Sequence, residues 1–391
     1  MSLKDRLRAD IQACGPLNVA QYMTACLHDP DYGYYATRPA LGEAGDFITA
    51  PLVSQMFGEL LGLWAVETWR GMGRPSRLLW VEAGPGDGTL IADALRAARL
   101  DPGFVAAAEL WLVETSAPLA ALQRGRLTDA PPAPRWAASL AELPHDAPMV
   151  LIANELLDCL PARQYVRAAS GWAERVVGLD AAGGLAFGLA PCPDFWRKED
   201  TAPPSGELAA QRRDPLRHPS GGPPPPAGEG LQPHDVPIGA VLEVSAPQIA
   251  FAAELAARLA DQGGAALLID YGPDRPAFGD TLQALRRHQK VDPLAAPGQA
   301  DLTVHADFPS VLAAARADGV AVGLTPQGLF LRRLGVEARA AALSRARPDQ
   351  AAVISRQLAR LIDADQMGAL FKAACLYGQA QPVPPGFEDP A

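Results

Sequence analysis

The segment Glu82-Ala-Gly-Pro-Gly-Asp-Gly-Thr89 sets three glycines, Gly84, Gly86 and Gly88, at alternate positions among acidic residues. Glycine lets a backbone turn sharply and come within reach of a ligand. The pattern is Gly-x-Gly-x-Gly, and Thr89 stands where a dinucleotide fingerprint puts its third Gly or Ala. Such a turn, with Glu82 at its entrance, suits S-adenosyl-L-methionine as cofactor better than NAD. A tight turn that binds nothing would use the same glycines.

Further polar groups follow apolar runs. Leu110-Trp-Leu-Val-Glu114 ends in a carboxylate, which can accept hydrogen bonds from ribose hydroxyls or else cap the helix after it. Ala153-Asn-Glu-Leu-Leu-Asp158 brings Asn154, Glu155 and Asp158 out together. Asn154 and Glu155 are the pair expected beside a transferring methyl group, although a helix N-terminus would also favour acids there. Ile269-Asp-Tyr-Gly272 offers Asp270, either as pocket lining or within a plain turn.

These groups need strands that end side by side, because open α/β sheets bind ligands beyond the carboxyl ends of their strands. Arg77–Glu82, Leu110–Glu114, Met149–Ala153 and Ala265–Asp270 read as buried strands. Helices are expected over Thr89–Arg99, Ser116–Leu127 and Pro247–Asp261. The alternation predicts an α/β fold with a mostly parallel, doubly wound, Rossmann-like sheet within residues 71–391. Residues 1–70 read as an N-terminal helical cap. In it Leu3, Leu7 and Ile11 recur at helical spacing, Asn18 N-caps Val19–Leu27, and Phe57–Trp69 carries an apolar face.

Between these helices lie Asp31-Tyr-Gly-Tyr-Tyr35 and Gly42-Glu-Ala-Gly-Asp-Phe-Ile-Thr49. Gly45–Thr49 is expected either to cover the cofactor as a lid or to pack as an ordered loop. An insertion is expected over residues 160–240. Its Arg163–Val177 and Leu185–Gly188 read as an antiparallel β-ribbon, with a turn at Asp180–Gly184. Lys198–Asp235, which contains Gly221-Gly-Pro-Pro-Pro-Pro226, reads as a mobile surface segment or a plain linker.

Composition narrows the classes. The 391 residues are 49% hydrophobic and 20% charged, with a net charge of -10; no broad grip on nucleic acid is expected from that balance. The N-terminus lacks an apolar signal core, and acids interrupt its basic residues; a cytoplasmic location is expected. No apolar stretch is long enough to span a bilayer. The five cysteines and six histidines are scattered without ligand spacing, so reduced thiols and no metal site are expected.

Gly45-Asp-Phe-Ile-Thr-Ala-Pro51 together with Ser54-Gln-Met-Phe-Gly-Glu59 resembles the MidA-like methyltransferases, a group that includes a mitochondrial complex I assembly factor. Glu82–Thr89, Ala153–Pro161, Ile269–Gly272, Gly279–Leu282, Asp301–Phe308, Thr325–Phe330 and Met367–Lys372 match in the same order along nearly the whole chain. The resemblance implies a class I methyltransferase fold and methylation of a protein arginine, with a respiratory-complex subunit as the acceptor in the mitochondrial relative. It carries the family's Gly-Asp-Phe loop onto Gly45, Asp46 and Phe47, its Gly-x-Gly motif onto Gly84 and Gly86, and its Asn-Glu pair onto Asn154 and Glu155. Ala83 departs from the family's usual Leu-Gly-Pro-Gly, and the Pro-rich insertion is longer than the family's.

An arginine acceptor is protonated and does not release its proton freely, so carboxylates must grip the guanidinium and take up charge as transfer proceeds. Glu155 is placed in that role, with Asp158, Asp46 or Asp270 as helpers. Two rivals remain at this level: a cofactor-binding assembly factor with little or no catalysis, and an NAD-dependent oxidoreductase.

Overall fold

The computed structural model describes residues 2–37, 49–192 and 236–388. Gly45, Asp46 and Phe47, and the Pro-rich stretch Lys198–Asp235, lie outside the described residues. The chain opens with α1 (Leu3–Cys14), β1 (Leu17–Asn18), α2 (Val19–His28) and α3 (Tyr34–Thr37). The Asn18 side chain accepts from Gln21 N at 2.8 Å, and the Gln21 side chain returns the bond to Asn18 N at 2.9 Å, a capping box that starts α2. After α4 (Ala50–Val53) and α5 (Gln55–Gly71) the chain enters the sheet through β2 (Leu78–Ala83). Then come α6 (Thr89–Ala98), α7 (Pro102–Ala107), β3 (Ala108–Val113), α8 (Ala117–Arg126), β4 (Arg135–Ala137) and β5 (Met149–Asn154).

The chain next builds β6 (Arg163–Ala168), β7 (Gly171–Leu179), β8 (Leu185–Pro191) and β9 (Val241–Val244), then α9 (Ala246–Gln262) and β10 (Gly264–Tyr271). Short strands β11 (Gln283–Arg286), β12 (Gln289–Val291) and β13 (Asp301–Thr303) precede α10 (Phe308–Ala317) and β14 (Val320–Pro326). Helices α11 (Gln327–Arg333), α12 (Val336–Ala346), α13 (Ala351–Ile362) and α14 (Met367–Leu370) lead into β15 (Phe371–Gly378).

The central sheet has seven strands in the order β14-β15-β10-β5-β2-β3-β4. Strands β10, β5, β2, β3 and β4 run parallel, and β15 is antiparallel to both its neighbours. Every residue of β2 is buried, as befits a parallel strand covered on both faces. Its side chains alternate between two cores: Leu78 and Trp80 face α5, α6 and the C-terminal helices, whereas Leu79 and Val81 face α9 and α10. Strand order reverses between β2 and β5, and the crevice at such a switch point is where this architecture takes ligands.

Two expectations change. Residues 1–70 do not act as a single cap. Helix α5 belongs to the main core, while α1 and α2 fill a third core with Cys159, Ala162, Val177, Leu302 and Val304. There Tyr22 Oη donates to Pro293 O at 2.7 Å. The ribbon is also larger than read: Arg163–Val177 folds back on itself at Ala168 and Gly171, and β1 and β9 join β6, β7 and β8. Among the described residues no helix is long and apolar enough to cross a membrane.

Candidate active site

The glycine turn leaves the carboxyl end of β2. Gly84, Gly86 and Gly88 hold φ of 67°, 55° and 80°, a region other residues enter only with strain. A Cβ on Gly84 would also come within 2.9 Å of Leu156 Cδ1. Gly88 closes the turn, its N–H donating to Pro85 O at 2.8 Å, and N-caps α6. Glu82, Gly84 and Gly86 line a cavity of about 840 Å³ that Glu114, Asn154, Glu155 and Asp158 also line. Gly88 stands behind its wall.

Glu82 is buried and its Oε2 has no hydrogen-bond partner among the described residues. Burial, followed by the charges of Asp87 and Glu114, pushes its carboxyl up to about 8. An unfolded carboxyl of ordinary value 4.5 loses its proton first, so the folded state binds more protons and stability falls as pH rises between those limits. The ligand-free protein is therefore expected to melt at progressively lower temperature from about pH 5 to about pH 8, and Glu82→Gln is expected to flatten that slope. Parallel melting curves for the two proteins would show that Glu82 ionises normally.

Glu114 follows β3 directly. Its Oε1 accepts from Ser116 N at 2.7 Å and its Oε2 from Gln123 Nε2 at 3.1 Å. It does not cap α8; Ser116 does, its Oγ accepting from Leu119 N at 3.4 Å.

Asn154 ends β5, and Glu155 turns away from it at φ 52°, a left-handed position uncommon outside glycine. The Glu155 N–H donates to Ile269 O at 2.8 Å, tying the turn to β10. Glu155 Oε1 accepts from Asn154 Nδ2 at 3.0 Å and from Ala50 N at 3.2 Å. Asn154 Oδ1 has no partner among the described residues. Burial pushes Glu155 up to about 7, and burial with the Glu155 charge does the same to Asp158. Neither carboxylate has an ion-pair partner among the described residues.

Asp270 is neither pocket lining nor part of a turn. It lies inside β10, fully buried, with Oδ2 accepting from Leu157 N at 2.9 Å and Asp158 N at 3.1 Å. Its Oδ1 accepts from Tyr271 N at 2.8 Å, so its oxygens hold backbone rather than face a ligand. A further carboxylate does line the cavity, Asp301 at the start of β13, with Tyr35 Oη donating to its Oδ1 at 2.8 Å. Strand β13 is tied to the Glu155 turn through Val304 N, which donates to Asp158 O at 2.9 Å. Tyr35 and Asp301 each lie within a recognisable segment, Asp31–Tyr35 and Asp301–Phe308, but no local period gives either a site role. Gln123 did carry a signal, a polar residue on the buried face that Leu119 and Ala120 of α8 share with Leu127 just beyond it.

The cavity falls within the size range of small-molecule and cofactor sites, and orphaned acceptors at Glu82 and Asn154 beside a left-handed glycine turn suit a ligand rich in donors. The chain matches the profile of a family described as S-adenosyl-L-methionine-dependent methyltransferases over residues 60–325. The mitochondrial protein arginine methyltransferase NDUFAF7 of Danio rerio is 31% identical over 395 residues, 95% of this chain and 86% of its own length. Its Homo sapiens counterpart is 33% identical over 352 residues, covering 84% and 72%. A COG1565 superfamily member from Burkholderia thailandensis, solved bound to S-adenosyl-homocysteine, superposes with a TM-score of 0.77 at 28% identity, over 99% of this chain and 92% of its own.

Fold, cradle and kinship define an S-adenosylmethionine-dependent methyltransferase with a Rossmann-like sheet. The nicotinamide alternative falls with that. Within this class the chain belongs to the MidA-like methyltransferase family.

Proposed function

We propose that this methyltransferase modifies arginine side chains of a protein. The observation that carries the reading is the pair of buried carboxylates, Glu155 and Asp158, lining the cavity with no cation paired to them among the described residues. Desolvated acids of this kind favour a cationic guest, and a guanidinium offers planar, bidentate donors that match carboxylates. Two relatives named as protein arginine methyltransferases support the same acceptor, and the mitochondrial kinship suggests a respiratory-complex subunit as its class.

S-adenosylmethionine supplies a methyl group activated on a sulfonium. Glu82 and the left-handed glycine turn would hold it, with Glu114 accepting from the ribose hydroxyls. Glu155, oriented by Asn154 Nδ2 and Ala50 N, would align the guanidinium, with Asp158 and Asp301 sharing its charge. As the guanidinium nitrogen gains the methyl it must lose a proton, and Glu155 is the base within reach. Gripping a cation needs the ionised acids, so kcat/KM is expected to rise with pH through about 7. A pH profile with no inflection near neutrality in the wild type would count against Glu155 and Asp158 as the gripping pair.

The reading is tested by incubating the protein with labelled S-adenosylmethionine and lysate from a strain lacking its gene, then identifying the modified residue by mass spectrometry. Methylarginine in a discrete protein is the expected result. Label on another residue type refutes the arginine acceptor. Tight cofactor binding with no labelled protein would favour the assembly-factor alternative.

A further inference from the structure

We propose that Gln123 is a positioning residue for the cofactor, locking the ribose-binding carboxylate of Glu114 to the glycine turn; this rests on the ribose role given to Glu114 above. Gln123 is fully buried on the inner face of α8, where a glutamine must satisfy its amide within the protein. Its Nε2 carries two hydrogens. One is donated to Gly86 O at 2.7 Å and the other to Glu114 Oε2 at 3.1 Å. Its Oε1 accepts from Trp136 Nε1 at 2.9 Å. This set of partners dictates the amide's orientation, because a flip would face oxygen to two acceptors and nitrogen to an indole donor.

One side chain thus spans the ends of β2 and β3. The Ser116 N–H holds Glu114 Oε1 from the other side, so the carboxylate is gripped at both oxygens. A carboxylate has about four lone-pair sites, which leaves each oxygen able to accept from one ribose hydroxyl. The same helix packs on the turn: a Cβ at Gly88 would lie 3.5 Å from Gln123 Cγ, and Arg126 pairs with Asp87 at 3.0 Å. Without Gln123 the carboxylate keeps the Ser116 N–H at Oε1 but loses its donor at Oε2, and the Gly86 carbonyl loses its partner on α8. Gly84 N still donates to Val113 O at 3.0 Å, so the strand ends stay paired while the aim of the Glu114 carboxylate is no longer set.

A glutamine that merely satisfied the core would affect every ligand alike, whereas one that aims Glu114 affects the ribose hydroxyls selectively. Titration calorimetry with S-adenosylhomocysteine and its 2′-deoxyribose analogue separates the two. The wild type is expected to prefer the hydroxylated ligand by roughly tenfold, the value of a hydrogen bond to a charged group. In Gln123→Met, similar in size but unable to donate, that preference is expected to shrink to about twofold, with S-adenosylhomocysteine bound roughly tenfold more weakly. Should that variant fail to fold, Trp136→Phe frees the Gln123 amide to rotate and is expected to lower the preference in the same direction. Equal weakening of both ligands, or unchanged affinities, overturns the proposal. A wild type indifferent to the hydroxyl removes the ribose role of Glu114, and the positioning role with it.

Discussion

Glu155→Gln is expected to slow methyl transfer by roughly a thousandfold while S-adenosylhomocysteine binds within about twofold of wild type, an affinity change below half a kcal/mol. The substitution keeps the shape and the Oε1 acceptor that Asn154 Nδ2 and Ala50 N address, so the left-handed turn and the α4 contact survive. The charge and the ability to accept a proton are lost. If the acceptor is a guanidinium, both losses fall on transfer rather than on the proposed cofactor site at the ends of β2 and β3. Full activity in this variant, with cofactor binding intact, would remove Glu155 from the reaction. Single-turnover rates at saturating cofactor are the measurement that separates transfer from binding.

Asp270→Ala is the second large effect, and it is an effect on the fold. Three backbone N–H groups, at Leu157, Asp158 and Tyr271, donate to this one buried carboxylate. Removing it leaves them without an acceptor in a site closed to water, at about 1–3 kcal/mol each. A total loss of roughly 3–5 kcal/mol is expected, since relaxation recovers part of the sum. Because the lost bonds anchor the segment after Glu155, residual folded protein should also transfer methyl groups slowly. Denaturant unfolding of both proteins is the direct comparison; a difference under about 1 kcal/mol would mean that the amides find other partners. Asp270→Asn keeps an acceptor oxygen and should fall between the two.

Much of the cavity lining is legible from local patterns because parallel strands impose a simple rule: polar residues directly after a buried run emerge at one edge. The rule brings the glycine turn after β2, Glu114 after β3, and Asn154 and Glu155 at the end of β5 to one cavity. It misled at Asp270, where the strand continues through Tyr271 and buries the carboxylate. Asp301 and Tyr35 escaped because they meet across 266 positions of sequence, and no spacing records such a distance. Strands β14 and β15 were not anticipated either. Seven of the eight residues of β15, all but Tyr377, are buried, so no alternation marks it, and a short apolar run of that kind reads equally well as helix.

The third core has a consequence for synthesis. Helices α1 and α2 are made well before the segments that cover them: Leu3, Leu7, Tyr22 and Leu27 pack with Leu302, Val304 and the ribbon. Tyr22 finds its acceptor 271 positions downstream. That apolar surface therefore waits on chain made much later, and non-local closure of this kind is slow. The Asp301 wall of the cavity hangs on the same closure, so one side of the site is completed only when these distant segments meet.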